Sequence, residues 1–307
     1  MSDPAKNMFI GVDHGTQAVR FATLDKRTLE LPRENITESS VVRDIEEGLN
    51  LKLEFVKLIG LTYSMGDGIT KITNSKKVRN RGLKAFGGAG RYIGGGTAVY
   101  DAIHKSNTPA IVLPGIHDES NVDFRMKFFS HGASPEKVGL AYYVSKYHKD
   151  RDFILCDVSS NTVSLAVAES RILGAIDAAI FAPGVTQGPL DLQAIRDVDG
   201  GLMTANEAFS RGGLLKRGLS EQDLIATLAL YAAMEINALQ VLLRDYSAQG
   251  SIFLAGSAAA KVKVLLDEHL GASSIVLDPW SAATGCAAIA KDVWGGALDI
   301  MGIPVDF

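Results

Sequence analysis

Cysteine is scarce: Cys156 and Cys286 are the only two in 307 residues, far apart and set among apolar or small neighbours. Such a pair cannot build a structural zinc site, and it reads as two buried thiols in a reducing compartment, not as a disulfide framework. Histidines are few as well. His14, His104, His117, His131, His148 and His269 form no HExxH or other compact ligand spacing, which speaks against an intrinsic transition-metal site. Neither sign of charge dominates, with 31 Lys and Arg against 35 Asp and Glu, so no basic surface for a nucleic-acid partner is implied. No window approaches 18 uninterrupted apolar residues, and the opening MSDPAKN lacks the positive and apolar regions of a signal peptide. The expectation is a cytoplasmic protein with no membrane partner. With 47% apolar and 21% charged residues the chain is not disordered, and at this length it can bury roughly 75% of its unfolded surface, enough for a core in each of two halves.

What the chain does have is a repeated edge. FIGVD at residues 9–13 runs apolar residues into an aspartate, then turns through HGTQ and returns as a second β-rich stretch from Ala18 to Leu24. FILCD at 153–157 ends the same way, turns through VSSN and returns as TVSLAVAE with Val163, Leu165 and Val167 on one face. A dinucleotide fold would send the strand into a helix with GxGxxG spacing, whereas here it folds straight back as a hairpin. Two hairpins with matching Phe, Ile and Asp positions, each near the start of a half, indicate a duplication. The charged stretch YHKDRD at 147–152 sets the boundary, giving domains 8–150 and 151–307.

Between the hairpins, FVKLIGLTYSMGDGI reads as a strand, Val99, Ala102 and Ile103 have helical spacing, and PAIVLPGI reads as a buried strand. In the second half Ser220, with Asp223 three residues on, caps a long helix whose buried stripe is Leu224, Leu228, Ala232, Ile236, Leu239 and Leu243. SIFLAGSAAA then runs a strand into a small-residue turn and a helix, SSIVLD is a further strand, and SAATGCAAIA a helix of small residues that permits close packing.

An unpaired aspartate at the tip of a buried strand costs several kcal/mol in an apolar setting, so Asp13 and Asp157 should face a hydrogen-bonding turn, a cleft or a metal. Capping a β-turn satisfies either one alone. The pair, each with a downstream threonine (Thr16 and Thr162), favours a shared use: hydrated Mg²⁺ held by carboxylates together with substrate phosphates. Gly15 lets backbone N–H groups approach a phosphate, and Thr16 adds a donor.

FIGVDHGTQAVRFATLD looks like the first phosphate motif of the actin, sugar-kinase, heat-shock-chaperone and acetate-kinase superfamily, DVSSNTVSLAV like its second, and FLAGSAAA like its adenosine motif. The resemblance implies an α/β protein of two duplicated ribonuclease-H-like domains, the actin-like ATPase fold, with ATP and Mg²⁺ in an interdomain nucleotide cleft. FFSHGASPEKVGLAYYV and APGVTQGPLDLQAIRDVDGG are similar to the His-Gly-Thr-Ser segment and substrate-side loop of acetate and butyrate kinases. Together with GGGTAVYDAI, PAIVLPGIH and GGLMTANEAFSRGG they resemble the archaeal family called methanogenesis marker protein 12, over about residues 8–290. The second phosphate loop departs from the superfamily pattern, with Ser159 and Ser160 where glycines are usual. The adenosine motif has Gly256 followed by Ser257 where two glycines are common, and Asp278 stands slightly early for the acidic residue of acetate kinases. Two cysteines argue against an iron–sulfur version of the superfamily's ATPases.

The resemblance implies an ATP·Mg-dependent phosphotransferase or ATPase of the acetate-kinase-like branch, acting on an unknown small-molecule acceptor. Asp13 and Asp157 would hold the metal or position attacking water, and Gly15, Thr16, Ser159, Ser160, Asn161 and Thr162 would bind phosphates. Gly256 and Ser257 would approach adenosine, and His131 and Arg125 would face the acceptor, with Ser134 and Lys137 beside them; a helix cap explains Ser134 equally well. The alternative is a nucleotide switch or assembly factor acting on a protein partner in methanogenesis with little turnover. Gly87, Gly88, Gly90, Gly94, Gly95 and Gly96 could cradle phosphate ahead of a helix at Thr97 or serve as turns. Lys76, Lys77, Arg79, Arg81 and Lys84 could steer an anion or form a solvated face. The apolar tail IMGIPVDF and the acetate-kinase resemblance suggest a homodimer.

Overall fold

The computed structural model describes residues 8–63, 66–84, 95–246 and 248–307. In chain order they form β1 (Met8–His14), β2 (Ala18–Thr23), β3 (Thr28–Pro32), α1 (Val41–Gly48), β4 (Val56–Leu61), β5 (Ile72–Asn74), α2 (Gly95–Lys105), β6 (Ala110–Val112), β7 (Ile116–His117), β8 (His131–Ala133) and α3 (Pro135–Tyr143). There follow β9 (Phe153–Val158), β10 (Thr162–Ala168), β11 (Arg171–Ile176), α4 (Leu192–Asp199), α5 (Ala205–Arg211), α6 (Glu221–Asp245), β12 (Ser251–Ala255), α7 (Ala259–Leu270), β13 (Ser274–Val276), α8 (Ser281–Trp294), β14 (Asp299–Ile300) and β15 (Ile303–Asp306).

Two compact units result. Unit 1 takes the chain up to Asn121, then Ser134–Lys149 and Trp280–Phe307; unit 2 takes Val122–Ala133 and Asp150–Pro279. The chain passes between the units at 121/122, 133/134, 149/150 and 279/280, so the division is not a single cut. The last 28 residues join unit 1 because α8 packs directly on β1 and α3. A Cβ at Gly11 would lie 1.8 Å from the Ala283 carbonyl oxygen, and one at Gly285 would lie 1.9 Å from that of Gly139. Only glycine lets these backbones approach so closely.

The unit 1 sheet runs β14-β15-β5-β6-β4-β1-β2-β3, and the unit 2 sheet β11-β10-β9-β12-β13. Each contains one five-strand pattern: an antiparallel three-strand meander (β1-β2-β3 or β9-β10-β11) whose first strand pairs in parallel with β4 and then β6, or with β12 and then β13. This is the duplicated ribonuclease-H-like arrangement. Every residue of β1, β9 and β10 is buried, which explains why β1 and β9 read as near-continuous apolar runs.

Unit 1's core gathers Ile10, Val12, Phe21, Ile59, Leu61 and Ile103; unit 2's gathers Ile154, Cys156, Leu228, Ile236, Leu254 and Val262. Each fully buried large side chain of this kind contributes about 1.5–3 kcal/mol. Both cysteines are free and buried. Helix α6 starts as its sequence indicates, with the Ser220 hydroxyl accepting from the Asp223 N–H at 3.1 Å. Its stripe from Leu228 to Leu243 is buried, while Leu224, in the first turn, is half-buried. The helix is long and apolar enough to cross a membrane by length and composition, with a window of mean hydropathy 1.5. It nevertheless covers the unit 2 sheet and buries a carboxyl, Glu235, against it.

Candidate functional site

In unit 2, β9 ends on Asp157 and Val158 and reverses through Ser159, Ser160 and Asn161. The Ser159 N–H donates across the turn to the Asn161 carbonyl at 2.9 Å. A second segment, 183–188, docks on this turn. Val185 N–H donates to Ser159 O, and the Thr186 and Gln187 N–H groups both donate to Ser160 O, each at 2.9 Å. The approach is so close that a Cβ at Gly184 would fall 2.2 Å from the Asn161 Cα. Both carbonyls of the serine pair are therefore tied down from outside the hairpin. Among the described residues, no backbone or side-chain acceptor takes the N–H of Ser160 or Asn161.

The turn from β12 into α7 supplies the third wall. Gly256 sits at φ +96°, and a Cβ there would lie 2.3 Å from Asp157 Oδ1 and 2.5 Å from the Val158 carbonyl, which itself accepts from the Ala258 N–H at 3.0 Å. A side chain at 256 would be strained by backbone and blocked by the carboxylate together. Asp157, Ser159, Ser160, Asn161, Gly256 and, next to it, Ser257 thus come together within one unit. Thr162 does not join them: it is fully buried, and its hydroxyl donates to the Pro183 carbonyl at 2.8 Å, fastening segment 183–188 instead of reaching a phosphate.

In unit 1 the corresponding turn carries Asp13, His14, Gly15 and Thr16. Asp13 is buried and faces Arg20, its register partner on β2, with Arg20 Nη1 3.7 Å from Asp13 Oδ2 and Arg20 Nε donating to Glu30 Oε2 at 2.6 Å. Gly15 is half-buried and Thr16 exposed. Asp13 and Asp157 belong to different units. Behind Asp13 lies a buried polar group that the sequence does not announce. His14 donates its backbone N–H to Thr62 Oγ1 (3.2 Å), its Nδ1 lies 3.1 Å from the same oxygen, and Thr62 donates to the Val12 carbonyl (2.8 Å). Burial, then the nearby Arg33 guanidinium, pushes the His14 imidazole down to about 3, with the Gly96 backbone pulling the other way. Arg33 is itself lowered by burial, which Glu136, Tyr63 and Asp13 only partly offset.

Of the acceptor-side candidates, His131 faces Asp177, its Nε2 3.8 Å from Asp177 Oδ2. Arg125 is committed elsewhere. Its Nε and Nη2 grip the two Asp123 oxygens at 3.0 and 2.8 Å and its Nη1 reaches Asp245, while Tyr246 donates to the same Asp123. That grip holds the Asp123 carboxyl far below the usual range, and it makes Arg125 a strut to the end of α6 instead of a residue facing an acceptor. The Ser134 hydroxyl makes no cap bond; it donates to Glu136, which Lys137 also contacts at 3.1 Å. Burial works to raise the Glu136 carboxyl, but Lys137 and the Ser134 hydroxyl hold it below its ordinary value.

Four of the five basic residues of the stretch, Lys76, Lys77, Arg81 and Lys84, make ties within unit 1. Arg81 grips Asp101 with two bonds at 2.8 Å, Lys77 pairs with Asp306, Lys84 with Glu119, and Lys76 donates to the His104 carbonyl. Of the glycine run, Gly87, Gly88, Gly90 and Gly94 lie outside the described residues. Sequence reasoning also passes over Glu235, fully buried in α6, which accepts from Ser164 Oγ at 2.6 Å and is pushed by burial up to about 8.

No protein-family model matches the chain. Among solved structures, a propionate kinase from Francisella tularensis superposes with a TM-score of 0.60 at 12% identity, covering 93% of this chain and 99% of that one. A ROK family glucokinase from Streptomyces griseus, in complex with glucose and AMPPNP, gives 0.50 at 12% identity, with 93% and 99% covered. At such identities the likeness shows the fold, an actin-like ATPase fold of the acetate- and sugar-kinase kind. Sequence relatives are far nearer: a UPF0285 protein of Methanosarcina mazei is 48% identical over 97% of this chain and 99% of its own length. Those of Methanocaldococcus jannaschii and a Methanococcus maripaludis strain are 40% and 39% identical over the same shares. Identity at that level along nearly the whole of both chains makes this protein a member of the UPF0285 family of methanogens.

Proposed function

We propose that the protein is a cytoplasmic, ATP-binding phosphotransferase or ATPase of the acetate-kinase-like branch, the family otherwise named methanogenesis marker protein 12. The carrying observation is the convergence in unit 2 of the Ser159–Asn161 turn, segment 183–188 and Gly256 around Asp157, with the Ser160 and Asn161 N–H groups left over. Unspent amides in a fixed turn are suitable donors for phosphate oxygens. The side chains of Ser159 and Ser160 do not defeat this, because the turn is anchored through their carbonyls and the free amides belong to Ser160 and Asn161. Gly256, where Asp157 Oδ1 and the Val158 carbonyl leave no room for a Cβ, lets the β12–α7 turn lie close against the serine turn, and Gly256 and Ser257 would approach adenosine. In unit 2 Asp157 would hold Mg²⁺ or its waters; in unit 1 Asp13 would offer a carboxylate of the same kind, and Gly15, Thr16 and Arg20 would meet phosphate. A bound Mg²⁺ would neutralise charge on the transferring phosphoryl group. His131, oriented by Asp177, would face the acceptor.

The test is calorimetric titration of the purified protein with ATP, with and without Mg²⁺, alongside Asp157→Asn. Metal-dependent binding that weakens roughly 10- to 100-fold in the variant, the worth of one charged contact, supports the reading. Metal-independent binding, or equal affinity in the variant, counts against it.

The switch reading keeps one observation of its own. Phe124 and Phe128 are 80% and 85% exposed on a single short turn of unit 2, an apolar pair suited to a protein partner. Stoichiometric nucleotide binding without phosphate release, and no phosphorylation of added small molecules, would favour it.

A further inference from the structure

Helix α6 has an outward face that the fold of unit 2 does not use. Its inner stripe, Leu228, Ala232, Ile236, Leu239 and Leu243, packs into the core of unit 2. Glu235, buried with that stripe, is the only charged residue between Asp223 and Arg244. The opposite face therefore runs for about 30 Å without a charge, at roughly 1.5 Å per residue. On it Leu230, Met234 and Val241 are 43%, 45% and 59% exposed. The solvated side of a surface helix ordinarily carries charged and polar residues, so an apolar row there calls for a partner.

The row is regular. Asp223, Thr227, Leu230, Met234, Asn237, Val241 and Arg244 follow one another at alternating steps of four and three, the interval of a two-helix seam. Thr227 is half-buried and the other six are exposed. The seam thus has an acid at its first position, a base at its last and Met234 in the middle. Asp223 accepts from the Ser220 hydroxyl at 2.7 Å, and among the described residues neither it nor Arg244 forms an ion pair. A second α6 laid parallel would set Asp223 against Asp223 and Arg244 against Arg244. Laid antiparallel across a two-fold axis at Met234, it sets Asp223 of each copy beside Arg244 of the other, with Thr227 meeting Val241 and Leu230 meeting Asn237 and Ala238. The acid, apolar, base order is its own complement, which fits a second copy of this chain better than an unlike helix. A lipid surface fits poorly, because an interfacial helix keeps a Lys- and Arg-rich face in water, and the other face of α6 is already buried in protein.

We infer that the outward face of α6 is a homodimer surface, on which two copies of this chain pack their α6 helices antiparallel about a two-fold axis near Met234. Such a contact is isologous, each copy presenting the same patch. It differs from the association that the apolar tail IMGIPVDF suggests, since Ile300, Met301 and Ile303 of that tail are buried within unit 1. It needs no nucleotide.

Sedimentation velocity of the full-length protein over a concentration series, without nucleotide, tests it. The wild type should run as a dimer at micromolar concentration. Met234→Glu, at an exposed site, sets two carboxylates against each other at the axis and should weaken the dimer roughly 100-fold or more. Arg244→Glu opposes Asp223 with a like charge at both ends and should weaken it roughly 10-fold. Asp223→Lys combined with Arg244→Glu exchanges the two signs and should recover most of that loss, a rescue that a general loss of structure does not give. Melting curves establish that each variant folds. A wild type that stays monomeric, a dimer unmoved by folded Met234→Glu, or a double exchange that recovers nothing would each overturn the proposal. So would a monomer that floats with lipid vesicles, which would give the face to a membrane instead.

Discussion

Glu235 shows how a single buried group can govern behaviour that no motif reveals. Its carboxyl is pushed up to about 8 by burial, from 4.5. Between those values the folded chain binds a proton that the unfolded chain has lost, so this group's contribution to stability declines as pH rises from about 4.5 through about 8. Glu235→Gln mimics the protonated form and should flatten that decline, leaving the variant more stable than the wild type above pH 8 by on the order of a few kcal/mol. Denaturant unfolding across this range reads the effect, and parallel curves for the two proteins would contradict it. His14 works in the opposite sense: lowered to about 3 from 6.5, it favours the folded state above 6.5 and loses that contribution as pH falls toward 3. Asp13 and Asp157 are legible in sequence because a carboxylate at the end of an apolar run is conspicuous. Arg20, Arg33 and Glu235 are not, since each acquires its meaning only from a register partner or a distant element brought against it.

Among elements, the two hairpins are the most legible, because apolar alternation and a polar turn are local signals. The cap of α6 was equally readable, whereas the expected cap at Ser134 gave way to a bond with Glu136, a competition the pattern of residue types does not resolve. Invisible in the sequence is the docking of segment 183–188 on the Ser159–Asn161 turn, a contact between stretches more than twenty residues apart. The alanine- and glycine-rich face of α8 promised close packing without naming its partner, which proves to be β1 and α3. Gly285→Ala should therefore be costly. Its Cβ would meet the Gly139 carbonyl, and the two backbones would have to separate, at about 1–3 kcal/mol or more for an overpacked core. Chemical denaturation measures this directly, and an unchanged midpoint would mean that α8 does not lie where it is described.

On the scale of the whole molecule, the repeated strand pattern is legible from the paired hairpins, but the return of the chain's last 28 residues to unit 1 is not, because it is decided by packing remote in sequence. Removing residues 281–307 should strip cover from β1 and β4 while leaving the sheet of unit 2 intact. Hydrogen exchange should then quicken by orders of magnitude in β1 and β4 and stay slow in β9 and β10, and uniform loss of protection would argue that unit 2 depends on the same segment. The functional account rests on the turn that unit 2 holds open. Its most direct test is an amide-resolved NMR titration of the full-length protein with a non-hydrolysable ATP analogue and Mg²⁺. The Ser160 and Asn161 N–H signals should shift saturably and together, with Gly256 and Ser257 following at the same affinity; saturable binding that leaves those four amides unmoved, or no binding, would contradict it.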